Sequence, residues 1–233
     1  MNNIFVLLEG ENLHIPDGFL SAPVWVACGA VSAAAVAVAT SRVGKDMEEK
    51  QVPLMGIVGA FIFAAQMVNF PIASGTSGHL GGGVLAALLL GPWAGTLIMT
   101  AVLVVQALLF QDGGITALGA NVLNVGVLGC LLGFVAYRLL RRLLSGTRGA
   151  LASAFITAWL IVVLSASLAA VQIALSGTVP LRLVLPAMAG IHALIGIGEG
   201  LVTTAALAFV LRVRKDLVYP LCLPYSRQVG EAA

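Results

Sequence analysis

The chain has 233 residues, of which 60% are hydrophobic and only 9% are charged, and its mean hydropathy is +1.04. Soluble domains average about 45–50% apolar and about 25% charged residues. The composition therefore argues against a soluble enzyme, a disordered protein or a nucleic-acid-binding protein. With a net charge of only +2, the sequence predicts an all-α polytopic membrane protein.

The first twelve residues predict neither a signal peptide nor a membrane span. The apolar run Ile4–Leu8 is short, and neither a basic stretch nor a small-residue cleavage site flanks it. We therefore predict an N-terminal extension at residues 1–12, a single transmembrane domain at 13–216 and a cytoplasmic tail at 217–233.

Six apolar stretches approach the length of about 20 residues that a membrane-spanning helix needs. They are Leu20–Ser41, Val52–Ile72, Val84–Phe110, Ile115–Tyr137, Ala150–Leu175 and Leu183–Leu211. Basic residues concentrate on the cytoplasmic side of membranes, and here they cluster around Lys45, Arg141 and Arg214. Clusters on one side must be separated by an even number of crossings, yet six spans place three crossings between the first two clusters.

The dipeptide Gly91-Pro92 resolves this conflict, because proline favours the first turn of a helix. It divides the third stretch into a short helix at about 79–90 and a full helix at about 93–110, which gives seven transmembrane helices. The N-terminus is then outside, the C-terminus is cytoplasmic, and only Arg182 of the 12 basic residues lies outside. The short helix spans roughly 18 Å and is expected to cross only if neighbouring helices bury its ends or if the bilayer thins around it.

Small residues form a stripe on the first helix at Ala27, Ala30, Ala34 and Ala37. Such a stripe allows helices to approach closely. It indicates either packing within this chain or a docking face for another membrane subunit.

Polar residues gather toward the predicted outer end. They are His14 and Asp17, the segment Asn69–His79, Gln111 and Asp112, and the pair Asn121 and Asn124, which share one face of the fifth helix. Polar residues inside membranes are costly and are often functional. Two histidines from distant segments favour a site for Ni, Co, Cu or Zn.

Two further polar residues, His192 and Glu199, share one face of the last helix. Glu199 is expected either to form a structural hydrogen bond between helices or to serve transport or gating. The string Gly75-Thr-Ser77-Gly78 together with His192 is also compatible with an intramembrane serine protease, in which Ser77 is the nucleophile and His192 the base. A phosphate-binding loop is absent from the sequence, so ATP hydrolysis by that route is not expected.

Three motifs carry a family resemblance over about residues 14–211. They are His14-Ile-Pro-Asp-Gly-Phe-Leu20, then Gly75-Thr-Ser-Gly-His79-Leu with Leu90-Gly-Pro-Trp-Ala-Gly95, and Gln106-Ala-Leu-Leu-Phe-Gln-Asp-Gly-Gly114 with Ala117-Leu-Gly-Ala-Asn121. Together they resemble the CbiM/NikM family, the cobalt/nickel substrate-binding membrane component of energy-coupling factor transporters.

The resemblance implies seven helices, with the N-terminus folded into the bundle and Co²⁺ or Ni²⁺ captured from outside. In the family, the ligands are the N-terminal amine, the amide and imidazole of the following histidine, and the histidine of the Gly-Thr-Ser-Gly-His motif. Carried over, they are the amine of Leu13, then His14 and His79. The polar residues expected to orient these ligands are Asn69, Ser77, Gln111 and Asn121.

This sequence departs from the family pattern at the start of the chain. The family chain begins Met-His, whereas Leu13 precedes His14 here and 12 residues precede Leu13. We predict that the functional chain begins at residue 13, either through initiation at a leucine codon or through cleavage after Asn12. The remaining alternative is that residues 1–12 stay attached and block the site.

The resemblance also implies partners. These are a transmembrane coupling subunit, a pair of ATPase subunits and a small accessory membrane protein, in the plasma membrane of a bacterium or archaeon. A bound organic cofactor, catalysis by this chain itself and nucleic-acid binding are not expected. The choice between cobalt and nickel stays open, as do the protease alternative and a secondary metal permease that works without ATPases.

Overall fold

The computed structural model describes residues 14–46, 51–68, 70–73, 76–78 and 80–219. Within these ranges there are seven helices, namely α1 (Ala22–Asp46), α2 (Gln51–Gln66), α3 (Gly83–Leu90), α4 (Pro92–Leu109), α5 (Leu118–Leu143), α6 (Gly146–Leu175) and α7 (Leu181–Val213). Two short antiparallel strands, β1 (Phe70–Ala73) and β2 (Thr76–Gly78), lie between α2 and α3. They add a hairpin to the predicted all-α architecture, in a segment expected to be a loop.

Five of the helices are long and apolar enough to cross a membrane, namely α1, α4, α5, α6 and α7. Helix α2 is apolar but has only 16 residues, which is about 24 Å at 1.5 Å per residue. The chain is therefore a multi-pass membrane protein. The α-helix satisfies all its backbone hydrogen bonds internally, which is why this apolar sequence folds into helices.

Helix α3 is the short helix predicted from the Gly91-Pro92 break. Its residues 83–88 are all buried. It ends at Leu90, Gly91 adopts a left-handed φ of 83°, and α4 begins at Pro92, so the predicted break is confirmed. The helix begins at Gly83, later than expected, because Gly82 has a φ of 75° that an α-helix excludes.

The close packing of α3 against α5 depends on glycine. A Cβ on Gly83 would lie 2.6 Å from the carbonyl oxygen of Val125 and 3.0 Å from the Cα of Gly129. Helix α5 is π-helical from Val122 to Leu132. Only two facing glycines allow the two backbones to approach so closely.

The C-terminal end of α3 is closed by residues that follow α7. The backbone N–H of Tyr219 donates to the carbonyl oxygen of Leu88 at 3.0 Å, and the Tyr219 ring packs edge-on against Phe134 with centroids 5.7 Å apart. Val218 is buried beside them. The packed domain therefore extends to Tyr219, beyond the boundary predicted at residue 216.

Helices α6 and α7 form a long antiparallel pair. The indole nitrogen of Trp159 donates to the carbonyl oxygen of Ala193 at 2.9 Å. A Cβ on Gly196 or Gly200 would lie within 3 Å of an aromatic side chain of α6. The glycine-rich stretch of α7 therefore accommodates the aromatic residues of the neighbouring helix.

The alanine stripe of α1 lies on the outside of the bundle. All four of its residues, Ala27, Ala30, Ala34 and Ala37, are exposed. The interpretation of the stripe as packing within this chain is therefore wrong. Cys28 and Ser32, on another face of the same helix, are buried and make the contacts with the bundle.

The bundle has two chemically different ends. At one, the polar end, the segment before α1 contacts the α4–α5 loop and the α6–α7 loop, where the hydroxyl of Thr178 donates to the carbonyl oxygen of Phe19. At the other, the basic end, helices α1, α5 and α7 terminate with basic residues in their last turns: Lys45, Arg141, Arg142 and Arg212.

Candidate metal site at the polar end

The site is built on the N-terminal segment, defined here as His14–Leu20, which packs into the polar end. His14 is only 7% exposed and Ile15 only 6%. The backbone N–H of Ile15 donates to the side-chain oxygen of Asn121 at 3.0 Å, and the amide nitrogen of Asn121 donates back to the Ile15 carbonyl at 3.1 Å. The Gly114 N–H donates to the same carbonyl at 2.9 Å. The N-terminal segment is therefore attached to the bundle through the backbone N–H and carbonyl groups of Ile15.

A second set of hydrogen bonds holds the segment at Asp17. Its carboxylate accepts the backbone N–H groups of Ile115 at 3.1 Å and Thr116 at 2.8 Å, and it also accepts the Thr116 hydroxyl. The Thr116 hydroxyl is the main reason that the pKa of Asp17 lies below its ordinary value, with desolvation opposing it and the backbone donors assisting. Asp17 therefore stays ionised and bound to the α4–α5 loop at neutral pH.

Loop glycines make room for the segment. A Cβ on Gly114 would lie 2.4 Å from the backbone nitrogen of Asp17, and a Cβ on Gly113 would lie 2.9 Å from the Cβ of His14. Gly113 also has a φ of 94°, which favours glycine. The N-terminal segment can pass this close to the α4–α5 loop because Gly113 and Gly114 have no side chains.

The imidazole of His14 belongs to a buried chain of hydrogen bonds, here called the glutamine relay. Its Nε2 lies 3.2 Å from Oε1 of Gln106 on α4, and Nε2 of Gln106 donates to Oε1 of Gln66 on α2 at 2.9 Å. Nε2 of Gln66 donates to the Gly81 carbonyl at 2.9 Å. Both glutamine side chains are 0% exposed. The relay thus connects His14 to the backbone two residues after His79.

Glu199 lies on the other side of the same backbone. One carboxylate oxygen accepts the Gly81 N–H at 2.7 Å, and the other accepts the Gly82 N–H at 2.9 Å, while the side chain is only 1% exposed. These two donors precede α3 and would otherwise lack helical partners. Glu199 was expected to bond between helices or to serve transport or gating; in the structure it accepts from the backbone immediately before α3.

The remaining predicted ligands and ligand-orienting residues have different placements. Leu13, Asn69 and His79 lie outside the described residues, and Ser77 lies in β2 with its side chain outside them. Gln111 is exposed, has a φ of 56° and lines a shallow surface cavity with Pro16, Asp17 and Gly113. Asn121 holds Ile15, as described above.

Asn124 does not share the environment of Asn121, although the two were expected on one face. It exchanges two hydrogen bonds with Gln172 of α6, at 2.9 and 2.8 Å, and both side chains are buried. Asn121 thus holds the N-terminal segment, whereas Asn124 joins α5 to α6.

His192 lies on α7 and is half-buried. Its Nδ1 bonds to the carbonyl oxygen of Met188, one turn earlier in the same helix, at 2.8 Å. Across the described ranges, groups of three or more His, Cys, Asp or Glu side chains suited to a metal are absent. The family resemblance implies backbone nitrogens as donors beside the imidazole of His14.

Gln66 and Gln106, which extend the site into the bundle, were not among the predicted site residues. Both are amide side chains inside predicted transmembrane stretches, and polar residues in such stretches often have a function. That signal was available, but the long-range pairing of the two side chains was not.

Comparison with known proteins agrees with the architecture and the motifs. Residues 14–217 match the family CbiM, described as the cobalt uptake substrate-specific transmembrane region. A protein of Archaeoglobus fulgidus, provisionally named a fused nickel transport protein NikMN, is 40% identical over 88% of this chain and 68% of its own length. The fused nickel transport protein NikMN of Rhodobacter capsulatus is 36% identical over 89% of this chain and 64% of its own length.

Solved structures show the same fold. A crystal structure of a transition metal transporter superposes with a TM-score of 0.78 at 35% sequence identity, and the match covers 87% of this chain and 94% of that one. A truncated transition metal transporter gives a TM-score of 0.77 at 35% identity, covering 85% and 98% of the two chains.

Proposed function

This chain belongs to the CbiM family, the cobalt uptake substrate-specific transmembrane region, and we propose that it captures Co²⁺ or Ni²⁺ for an ATP-driven uptake transporter. The observation that carries the proposal is the hydrogen-bonded connection between His14, buried at the polar end, and the backbone that follows His79. Two histidine segments that are distant in sequence are thus linked at one end of the membrane bundle. Imidazole nitrogens are suitable ligands for both metals.

The proposed ligands are four nitrogens. They are the amine and His14 amide of a chain that begins at Leu13, the imidazole of His14, and the imidazole of His79. Four nitrogens suit square-planar Ni²⁺, and the consecutive amine, amide and imidazole donors of one chain close small chelate rings. The amide must lose its proton, so metal binding is expected to weaken as the pH falls.

Metal titrations on the purified protein test this proposal. His14→Ala and His79→Ala are each expected to abolish high-affinity binding of Ni²⁺ and Co²⁺, because loss of one ligand opens the site. His192→Ala is the matched control, since His192 bonds within its own helix, and it should bind with nearly the affinity of the unmodified protein. Equal losses in all three variants, or a lack of metal binding by the unmodified protein, would refute the assignment.

The start of the chain is a separate part of the proposal. If residue 13 supplies the amine, protein from the native host will carry an N-terminus at that residue, as methionine after initiation there or as leucine after cleavage. Mass spectrometry of the intact protein distinguishes the two. Tight Ni²⁺ binding by protein that retains Met1 would contradict an obligatory amine ligand.

The proposed topology has seven crossings, with the polar end outside and the basic end cytoplasmic. It is supported by the clustering of basic side chains at one end of the bundle and by the positive-inside tendency. Single cysteines in a background without Cys28, Cys130 and Cys222 provide the test. Ile115→Cys, at a 62% exposed position, should react with an impermeant reagent from outside, and Ser145→Cys only after the membrane is opened. The reverse pattern would overturn the orientation.

The proposed partners are a transmembrane coupling subunit, a pair of ATPase subunits and a small accessory membrane protein. The family resemblance supports them, together with the lack of a phosphate-binding loop in this sequence. Uptake of radioactive ⁶³Ni²⁺ or ⁵⁷Co²⁺ by cells should require the ATPase genes as well as this chain. Uptake by this chain alone would instead indicate a secondary permease, and cleavage of a membrane peptide that Ser77→Ala abolishes would indicate the protease.

A further inference from the structure

The glutamine relay has a direction, which one backbone group determines. The carbonyl of Gly81 can only accept hydrogen bonds, so Gln66 must present its NH₂ group to it and its oxygen to Gln106. Gln106 must then present its own NH₂ group to Gln66 and its oxygen to His14. The Nε2 of His14 therefore faces an acceptor and carries the proton.

The opposite direction is disfavoured by the same geometry. If Nε2 of His14 were the unprotonated nitrogen, both amides would have to rotate by half a turn. The oxygen of Gln66 would then face the Gly81 carbonyl at about the present 2.9 Å, with two acceptors and no proton between them. Such a contact is unfavourable in a buried site, because water does not replace the lost donor.

The protonation of Nε2 matters for the proposed chelate, on which this inference rests. A metal bound to the backbone nitrogen of a histidine can be reached by Nδ1 of the same residue through a six-membered ring, whereas Nε2 lies too far around the imidazole. With the proton on Nε2, Nδ1 presents the lone pair to the metal. Metal-binding histidines commonly donate their other ring N–H to an oxygen acceptor, and Oε1 of Gln106 is placed to accept it.

The far end of the relay is held in place independently. The carboxylate of Glu199 accepts the N–H groups of Gly81 and Gly82, and a Cβ on Gly82 would lie 2.5 Å from the side chain of Ile62. The Gly81 carbonyl is thus fixed from both sides, so the orientation it imposes on Gln66 is fixed as well.

We propose that Gln66 and Gln106 are positioning residues of the metal site, which hold His14 with Nε2 protonated and tie it to the segment after His79. Neither glutamine is expected to bind the metal. Their role is to orient His14 so that its Nδ1 is unprotonated and in position before the metal binds.

A matched control exists within the same bundle. Asn124 of α5 and Gln172 of α6 form another buried pair of amide side chains, joined by two hydrogen bonds at 2.8–2.9 Å. Gln172→Met removes a buried amide of the same kind as Gln66→Met and should reduce thermal stability similarly. Any additional loss of metal affinity in Gln66→Met then reports on the relay.

The experiment combines metal affinity with the nitrogen spectrum of the histidines. Gln66→Met should lower the affinity for Ni²⁺ about 10–100-fold, the usual effect of removing a residue that orients a ligand, while Gln172→Met should change it less than about threefold. The chain has three histidines, so ring-¹⁵N labelling gives a simple spectrum in which His14→Ala identifies the His14 signals. In metal-free Gln66→Met, the two His14 nitrogens should shift toward each other as a second tautomer becomes populated.

A second variant keeps the test decisive if Gln66→Met does not fold. Gln106→Met removes the acceptor of His14 directly and should produce the same two changes. An affinity equal to that of Gln172→Met, or unchanged His14 nitrogen shifts in the folded variants, would overturn the proposal. Failure of the unmodified protein to bind Ni²⁺ or Co²⁺ would instead refute the proposed function and leave the metal-free tautomer measurement valid.

Discussion

Replacing Gly114 by alanine tests whether the N-terminal segment must pack into the bundle for metal binding. The added Cβ would lie 2.4 Å from the Asp17 nitrogen and 2.7 Å from the Pro16 carbonyl carbon, where ordinary contacts begin at 3.4 Å. A side-chain oxygen of Asp17 would also lie at 2.5 Å, but the other two atoms belong to the backbone, so a rotamer change cannot relieve the whole clash. The segment must move away from the α4–α5 loop by about 1 Å, the difference between the 2.4 Å separation from the Asp17 nitrogen and the 3.4 Å of an ordinary contact.

The size of the effect follows from the hydrogen bonds that such a shift would break. The Ile15 backbone makes three bonds to the bundle, one with Gly114 and two with Asn121. At about 1 kcal/mol of net stabilisation each, their loss costs about 3 kcal/mol. If the metal binds only when His14 is packed in place, this cost lowers the affinity about 100-fold, since about 1.4 kcal/mol corresponds to a factor of ten.

Isothermal titration with Ni²⁺, together with circular dichroism, measures this change. Gly114→Ala should bind about 100-fold more weakly while retaining its helix content, because the clash affects the segment and leaves the helices intact. Gly190→Ala is the control, since nothing lies within 4 Å of its added Cβ, and it should bind normally. An affinity for Gly114→Ala within threefold of the unmodified protein would refute the link between segment packing and metal binding.

Two further predictions concern the same segment. Asn121→Leu removes both of its hydrogen bonds to the segment and should weaken Ni²⁺ binding about 20–30-fold, from a loss of about 2 kcal/mol; titration calorimetry that shows normal affinity would contradict it. The pKa of Asp17 is lowered, chiefly by the Thr116 hydroxyl, so its contribution to packing is present above the ordinary pKa and is lost only as the pH falls through the lower, folded value. Hydrogen exchange of residues 14–20 should therefore accelerate only in strong acid, and Thr116→Val should move that transition to higher pH; identical transitions in the two proteins would disprove the role of the hydroxyl.

The sequence by itself determined the membrane class and the division of the chain into helices. Long apolar stretches have no stable alternative to helix in a bilayer, because every backbone polar group must be satisfied internally. The Gly91-Pro92 pair marked the break between α3 and α4 correctly, since its effect is local and needs no neighbour. The motif around His14 and the motif before His79 also identified the family.

Local sequence signals were less informative about which face of a helix is buried. The alanine stripe of α1 was compatible with packing inside the bundle, and yet it lies on the outside. Asn121 and Asn124 were expected on one face of the fifth helix, but Asn121 bonds to the N-terminal segment and Asn124 to Gln172 of α6. These partners depend on contacts with other helices, which the periodicity of one segment does not contain.

Only the tertiary structure decided how the site is supported. Gln66, Gln106 and Glu199 come from three different helices, and their sequence separations of 40 and 93 residues leave no local trace of the pairing. Their contacts arise because backbone N–H groups at the start of a helix have no partner within it, so Gly81 and Gly82 bond to side chains of other helices. Buried polar groups need hydrogen-bond partners. Helix packing places Glu199 against the N–H groups of Gly81 and Gly82, and Gln66 against the carbonyl of Gly81.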